Sequence, residues 1–353
     1  MLNDIVALVP IVIFLVDLQL MDSFKLVRPG AVVLAMCAGG LAALACVPLH
    51  DWLLTTAAID RTAFSRYLAP LTEEALKALF LIVLIARRRV GFPVDAAVHG
   101  FAVGTGFALV ENVIYLRALP HAPLLLWLVR GLGTAVLHGA TMSIFAMISR
   151  TLADKYPERL WLVFWPGWIA AVVIHSAFNH VLVSPVAMTL ALLVVLPALV
   201  LVVFRRSEQA TREWVSTGLD LDVELLQLVR SDAFAYTRFG LYLQRLRTKF
   251  PGPIVADMFC LLRLELELSV QARARVLAQE AGLTMPVDGD LSACLAEIEY
   301  LHASIGTTGM LALKPLMVSS HRDRWHQYLL AQADPQSRAL ARARAGRLRW
   351  FSR

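Results

Sequence analysis

Seven runs of about 20 mostly apolar residues fill the first 204 positions, at about 4–21, 30–54, 68–86, 92–116, 123–149, 160–182 and 185–204. A segment of that length crosses the hydrocarbon of a bilayer as an α-helix, because lipid offers no partner to an unbonded backbone group. The chain is thereby restricted to a bundle of helices. Of its 353 residues 58% are hydrophobic and 17% charged, whereas a soluble domain carries about a quarter charged residues. The deficit lies almost wholly before Phe204, and the stretch from there to Arg353 reads as an ordinary water-soluble sequence. The expected fold is all-α, with a polytopic membrane bundle over 1–204 and a helical cytoplasmic domain over 205–353. Asp4 is the only early charge, so the first run reads as a retained span rather than a cleaved signal peptide.

Loop charges orient the bundle. Lys25, Arg28, Arg87, Arg88, Arg89, Arg150, Lys155, Arg159, Arg205 and Arg206 fall on one side, against Arg61, Arg66 and Arg117 on the other. The basic side is cytoplasmic, which puts the N-terminus outside and the C-terminal half inside. That half carries helical patterns from Leu221 to Pro251, from Ile254 to Leu283 and from Leu291 to His302. Its end holds Arg338, Arg342, Arg344, Arg347, Arg349 and Arg353 without an acid among them. Such a tail either adheres to anionic lipid or stays solvated. Nucleic acid is the weaker reading, since only Trp350 and Phe351 supply aromatic rings there. Cys37, Cys46, Cys260 and Cys294 form no C-x-x-C pair and read as reduced thiols.

Polar residues at helical spacing interrupt the apolar runs: Glu73-Glu74 with Lys77, Glu111-Asn112 with Tyr115, Arg130 with His138, and His175 with Asn179. An ionisable group at the centre of a membrane helix costs on the order of 3 kcal/mol even on the lenient insertion scale. Such groups persist where they meet. Lys77 shares a helix face with either glutamate, so one carboxylate is expected to face the interior while the other holds Lys77 or the backbone. Glu111 lies about 9 Å below the outer end of its span and His138 about 16 Å from Trp127, at 1.5 Å per residue. Arg130 is expected to pair with Glu111 or Glu73 near the surface, a structural task. His175 and Asn179 share a face and can aim two donors at one point, as an oxyanion requires. Ala96, Gly100, Gly104 and Ala108 form a small-residue row that lets helices approach closely, either as a platform for Glu111 or as plain bundle packing.

These residues form the kit of a hydrolase. Glu74 or Glu73 would take a proton from water, and Glu111 would orient the base or the water. His138, His175 and Asn179 would bind the water or the oxyanion. A proton-coupled carrier or a silent scaffold could also keep such residues, though no inverted repeat supports a carrier. A shared cavity favours the hydrolase; separate pairing favours the scaffold.

Glu73-Glu74-Ala75-Leu76-Lys77 resembles the first motif of the PrsW-type intramembrane proteases. The stretch from Gly106-Phe107-Ala108 to Glu111-Asn112 and Tyr115 is similar to their second motif. Arg130 to His138 resembles the third, and His175-Ser176-Ala177-Phe178-Asn179 the fourth. The resemblance covers residues 60–185 and extends to the CAAX protease and bacteriocin-immunity group. It implies peptide-bond cleavage at an outward-facing site in a bacterial cell membrane. The implied substrate is a membrane protein such as a single-pass anti-sigma factor. A metal-free glutamate–water route is expected ahead of a zinc site built from Glu74, Glu111, His138 and His175, because no H-E-x-x-H is present and each ligand sits on its own helix.

Overall fold

The computed structural model describes residues 2–21, 27–56, 59–156, 159, 161–181, 184–281, 283 and 291–316, and every regular element among them is helical. In chain order the helices are α1 (Leu2–Leu20), α2 (Pro29–Thr56), α3 (Arg61–Ala63), α4 (Ala69–Ala86), α5 (Pro93–Ala118) and α6 (Leu124–Leu128). They continue with α7 (Ala135–Lys155), α8 (Phe164–Asn179), α9 (Pro185–Arg230), α10 (Arg238–Leu246), α11 (Gly252–Glu280) and α12 (Leu291–Leu313). Two π turns, Phe64–Leu68 and Val129–Thr134, join α3 to α4 and α6 to α7. The chain divides into two compact units, Met1–Gln209 and Ala210–Arg353. The arginine-rich end from Arg338 to Arg353 lies outside the described residues.

Helices occupy each of the seven stretches expected to span, but only four described ones are long and apolar enough to cross a membrane: α1, α2, α5 and the run Leu124–Lys155. Two of the others fall short for identifiable reasons. Helix α4 has 18 residues but carries Glu73, Glu74 and Lys77, and α8 has only 16 residues. The residues that suggest chemistry are thus the ones that dilute the hydropathy of α4.

In the first unit α5 is the central element, lying between α2 and α7. Its small residues permit this. A Cβ at Gly104 would fall 2.2 Å from the carbonyl oxygen of His138 on α7, and one at Gly106 would fall 1.9 Å from that of Met36 on α2. Only a glycine hydrogen fits either gap. The small-residue row therefore brings the His138 backbone against α5.

The end of the bundle near residue 90 is fastened by buried Arg150. It donates from Nε to the Val90 carbonyl at 2.9 Å and from Nη2 to that of Gly91 at 2.6 Å. Asp95 Oδ2 accepts the Gly91 and Phe92 amides at 3.2 and 3.0 Å. The turn between α4 and α5 is thereby tied to both α5 and α7, which fixes the height at which α4 presents its polar residues.

The second unit has its own apolar core, with Met258, Leu261, Leu264, Leu268 and Ala272 of α11 packed with Ile298, Leu301 and Ile305 of α12. Asp222 accepts from Ser269 Oγ at 2.5 Å and Arg273 Nη1 at 2.7 Å, joining α9 to α11. All four cysteines are free thiols.

Candidate active site

Helix α4 enters the bundle through an irregular start. Asp60 caps the preceding turn, its Oδ1 accepting the amides of Thr62 and Ala63 at 2.8 and 2.9 Å, so helical geometry begins nine residues before Pro70. Pro70 is the second residue of α4 and sits just past the π turn. Proline has no N–H, so the carbonyls four and five residues before it, Arg66 and Ser65, lack that donor. Helix α8 supplies replacements. Ser176 Oγ donates to Arg66 O at 2.6 Å and Asn179 Nδ2 to Ser65 O at 2.9 Å. Asn179 is thereby spent on backbone rather than aimed at the histidines, and the oxyanion role expected of it is not what this geometry provides.

The clamp sets α4 against α8 one turn from His175, and the two glutamates then divide. Glu74 Oε1 accepts from Lys77 Nζ at 2.5 Å and from His175 Nδ1 at 2.6 Å. With Nδ1 carrying the proton, His175 is left with its Nε2 lone pair. Glu73 Oε2 lies 3.9 Å from that nitrogen, buried and without a hydrogen-bond partner. Both glutamates therefore turn into the bundle, and Glu74 is the one that holds Lys77.

Lys77, fully buried, reaches α7 as well. Its Nζ donates to His138 Nδ1 at 3.0 Å and stands 4.6 Å from the centre of the Phe107 ring. His138 therefore carries its proton on Nε2, which donates to Glu111 Oε2 at 3.2 Å. Arg130 Nη2 forms an ion pair with the same carboxylate oxygen at 3.0 Å, its Nε donates to Asn112 Oδ1 at 3.0 Å, and its guanidinium lies 3.6 Å over the Tyr115 ring. The pairing expected between Arg130 and Glu111 is present. Arg130 and His138 are eight positions apart, yet both reach one Glu111 oxygen. The π turn that contains Arg130, a feature frequent at functional sites, resets the register of α7 relative to the chain before it. The rings of His138 and His175 meet edge to face at 5.0 Å.

Glu74, Glu111, His138 and His175 thus form one buried network, with Lys77 and Arg130 as its cations. Ligand atoms of Glu73, His138 and His175 lie within 4.8 Å of one another, a spacing a metal ion can bridge. This triple differs from the zinc set expected from sequence: Glu73 is in it, while Glu74 and Glu111 stand behind the histidines as hydrogen-bond partners. A carboxylate behind a histidine is the usual support of a metal ligand, since it fixes the tautomer and the ring orientation. The donor set fits a divalent metal: one orphaned carboxylate oxygen and one open imidazole lone pair. His138 joins such a set only by exchanging Lys77 or Glu111, because both its ring nitrogens are engaged.

Three contributors went unassigned in the sequence reading: the Ser176 clamp, the Phe107 ring that lies 4.9 Å from that of His138, and the Ala7 carbonyl that accepts from Asn112 Nδ2 at 2.8 Å. Ser176 was legible in principle, one position from His175 and six after Ala170 on a helix facing Pro70. A backbone acceptor such as Ala7 carries no side-chain signal.

The carboxylates and histidines meet in one network among apolar helices, as a hydrolase working inside the membrane requires. Residues 25–204 match the model of the PrsW family intramembrane metalloprotease, and the chain belongs to that family. It is a membrane peptidase. No curated protein and no solved structure matches it.

Proposed function

We propose that the chain hydrolyses a peptide bond of a single-pass membrane protein on the outer side of a bacterial cell membrane, with Glu73, His138 and His175 as the groups that meet the reacting water. An anti-sigma factor, cut in its first processing step, is the substrate class the family resemblance favours. The observation that carries the reading is the buried Glu73 oxygen, unpartnered and 3.9 Å from the open nitrogen of His175. An orphaned buried carboxylate oxygen costs on the order of 1–3 kcal/mol or more, and a metal ion or an activated water would satisfy it.

The sequence alone favoured a metal-free route. The Glu73–His138–His175 spacing and the description of the family as metalloproteases shift the preference to a divalent metal held by those three residues. Such a metal would lower the pKa of a bound water toward 7 and polarise the scissile carbonyl. The chain's own residues do the remaining work. Glu74 holds His175 in the Nδ1–H tautomer, Glu111 holds His138 in the Nε2–H tautomer, and Lys77 neutralises Glu74. Where no metal is held, Glu73 is the carboxylate base left to take the proton of the attacking water. Arg130 keeps Glu111 in place.

The test compares membranes bearing the wild type with membranes bearing His175→Ala. A single-pass protein cut on its outer side should lose that cut in the variant, and exhaustive chelation of the purified wild type should abolish cleavage that zinc then restores. Cleavage that survives chelation returns the mechanism to glutamate and water; cleavage that survives His175→Ala removes this site from the reaction. Orientation has a separate check. A reporter fused after Arg89 should behave as cytoplasmic and one near Ala118 as extracytoplasmic, and the reverse at Ala118 would put the site on the wrong face.

A further inference from the structure

Helix α1 precedes the family-matched segment, which begins at residue 25, yet it touches the site's polar network. Ala7, Ile11, Leu15 and Leu18 form its buried stripe at helical spacing, and the stripe lies against α5 and the π turn of residues 129–134. Pro10 stands inside α1. Lacking an N–H, it cannot bond the carbonyl of Val6 four residues earlier, and its ring crowds that carbonyl outward. The end of the helix before Pro10 is the part that meets the site. A Cβ on Gly131, within the π turn, would lie 1.9 Å from Val6 O, and the next carbonyl, Ala7 O, accepts from Asn112 Nδ2 at 2.8 Å.

From Asn112 the contacts run without interruption to the histidines. Asn112 Oδ1 accepts from Arg130 Nε, Arg130 pairs with Glu111, and Glu111 accepts from His138 Nε2. Asn112 is almost fully buried, at 1% exposure, so few groups besides Ala7 O compete for its amide. An asparagine whose amide nitrogen is pinned keeps its oxygen toward Arg130. Without the pin the amide can rotate and offer Arg130 a nitrogen, which repels the guanidinium.

We infer that α1 is a positioning element of the peptidase, in which Ala7 O anchors Asn112 and, through Arg130 and Glu111, sets the orientation of His138, while Val6 O, left without a helical N–H by Pro10, seats against Gly131. The inference rests on the site proposed above. Pro10→Ala restores an N–H for Val6 O and draws that carbonyl back into the helix, while adding no volume and no charge. A misplacement of about 1 Å far from the chemistry can cost about 100-fold in rate. Loss of an outer hydrogen-bond partner typically costs about 10- to 100-fold in metal affinity or activity.

The experiment uses the full chain in detergent, with labelled casein as the cleavage probe and zinc ion as the binding probe. Pro10→Ala and Asn112→Ala should each lower kcat about tenfold or more at unchanged KM and weaken zinc binding by a similar factor. Ile13→Ala, on the exposed face of the same helix, should change neither. A rise in KM alone would make α1 a substrate-docking helix, and wild-type values in Pro10→Ala would make it a plain membrane anchor; either result overturns the inference. The two readings fail separately. An inactive Glu73→Gln beside a fully active Pro10→Ala removes only the role of α1, whereas a wild type that binds no zinc and a His175→Ala variant that still cuts the single-pass substrate remove the site and the α1 inference with it.

Discussion

Glu73→Gln is expected to insert and accumulate like the wild type but to cleave its substrate about 100- to 10,000-fold more slowly, the loss typical of a missing general base. The amide keeps the size of the carboxylate and removes its charge, and it leaves no new buried ion. Glu74→Gln is the informative companion. Its amide oxygen can still accept from His175 Nδ1, so orientation is weakened rather than abolished, and the loss should be nearer 10- to 100-fold. Rates for both variants, measured per inserted molecule, separate the roles of the two neighbours. A Glu74→Gln loss exceeding that of Glu73→Gln would return the water to Glu74. Full activity in both would end the peptidase assignment for this site.

The second large effect falls on stability. Lys77 and Glu74 are an ion pair with no exposure on either side, and breaking a buried pair from one end commonly costs about 3–5 kcal/mol. Lys77→Met should lower resistance to denaturant in detergent by about that amount. Glu74 would keep its bond to His175 but lose the nearest compensating charge. The double variant Lys77→Met with Glu74→Gln should recover part of the stability, since no uncompensated charge remains, and none of the activity. A single variant as stable as the wild type would show that the pair is not required to hold α4 in the bundle.

Much of the site was legible because the bilayer makes polar residues conspicuous. Glu73, Glu74, Glu111, His138 and His175 stood out against apolar neighbours, and helical spacing alone suggested that Lys77 would hold one glutamate. Which glutamate it holds was not legible. Glu73 and Glu74 are separated by about 100° of helix rotation, and the choice between them depends on where α8 docks. Asn179 illustrates the limit of periodicity. It shares a face with His175, as its spacing says, but one turn along that face the neighbour is the backbone of residues 65 and 66 rather than the site. The π turns were invisible for a related reason: one extra residue in a turn leaves no mark in a hydropathy pattern, although it decides which side chains meet. Seven spans were read from composition, including 68–86, whereas four described helices are long and apolar enough to cross, and α4 falls outside them because its own charges dilute it.

The central position of α5 has a consequence for how the protein is made. It is buried along most of its length, and it carries Asp95, His99, Glu111 and Asn112 among its glycines and alanines. The helix is apolar enough to enter lipid, but Glu111 opposes that entry, a charge at the centre of a span costing roughly 2.5–3.5 kcal/mol. Glu111 becomes tolerable there when Arg130 and His138 arrive, and both are synthesised after it. For α5, therefore, entry into the bilayer precedes its final seating. The ribosome must deliver α7 before the helix on which the bundle is built can settle.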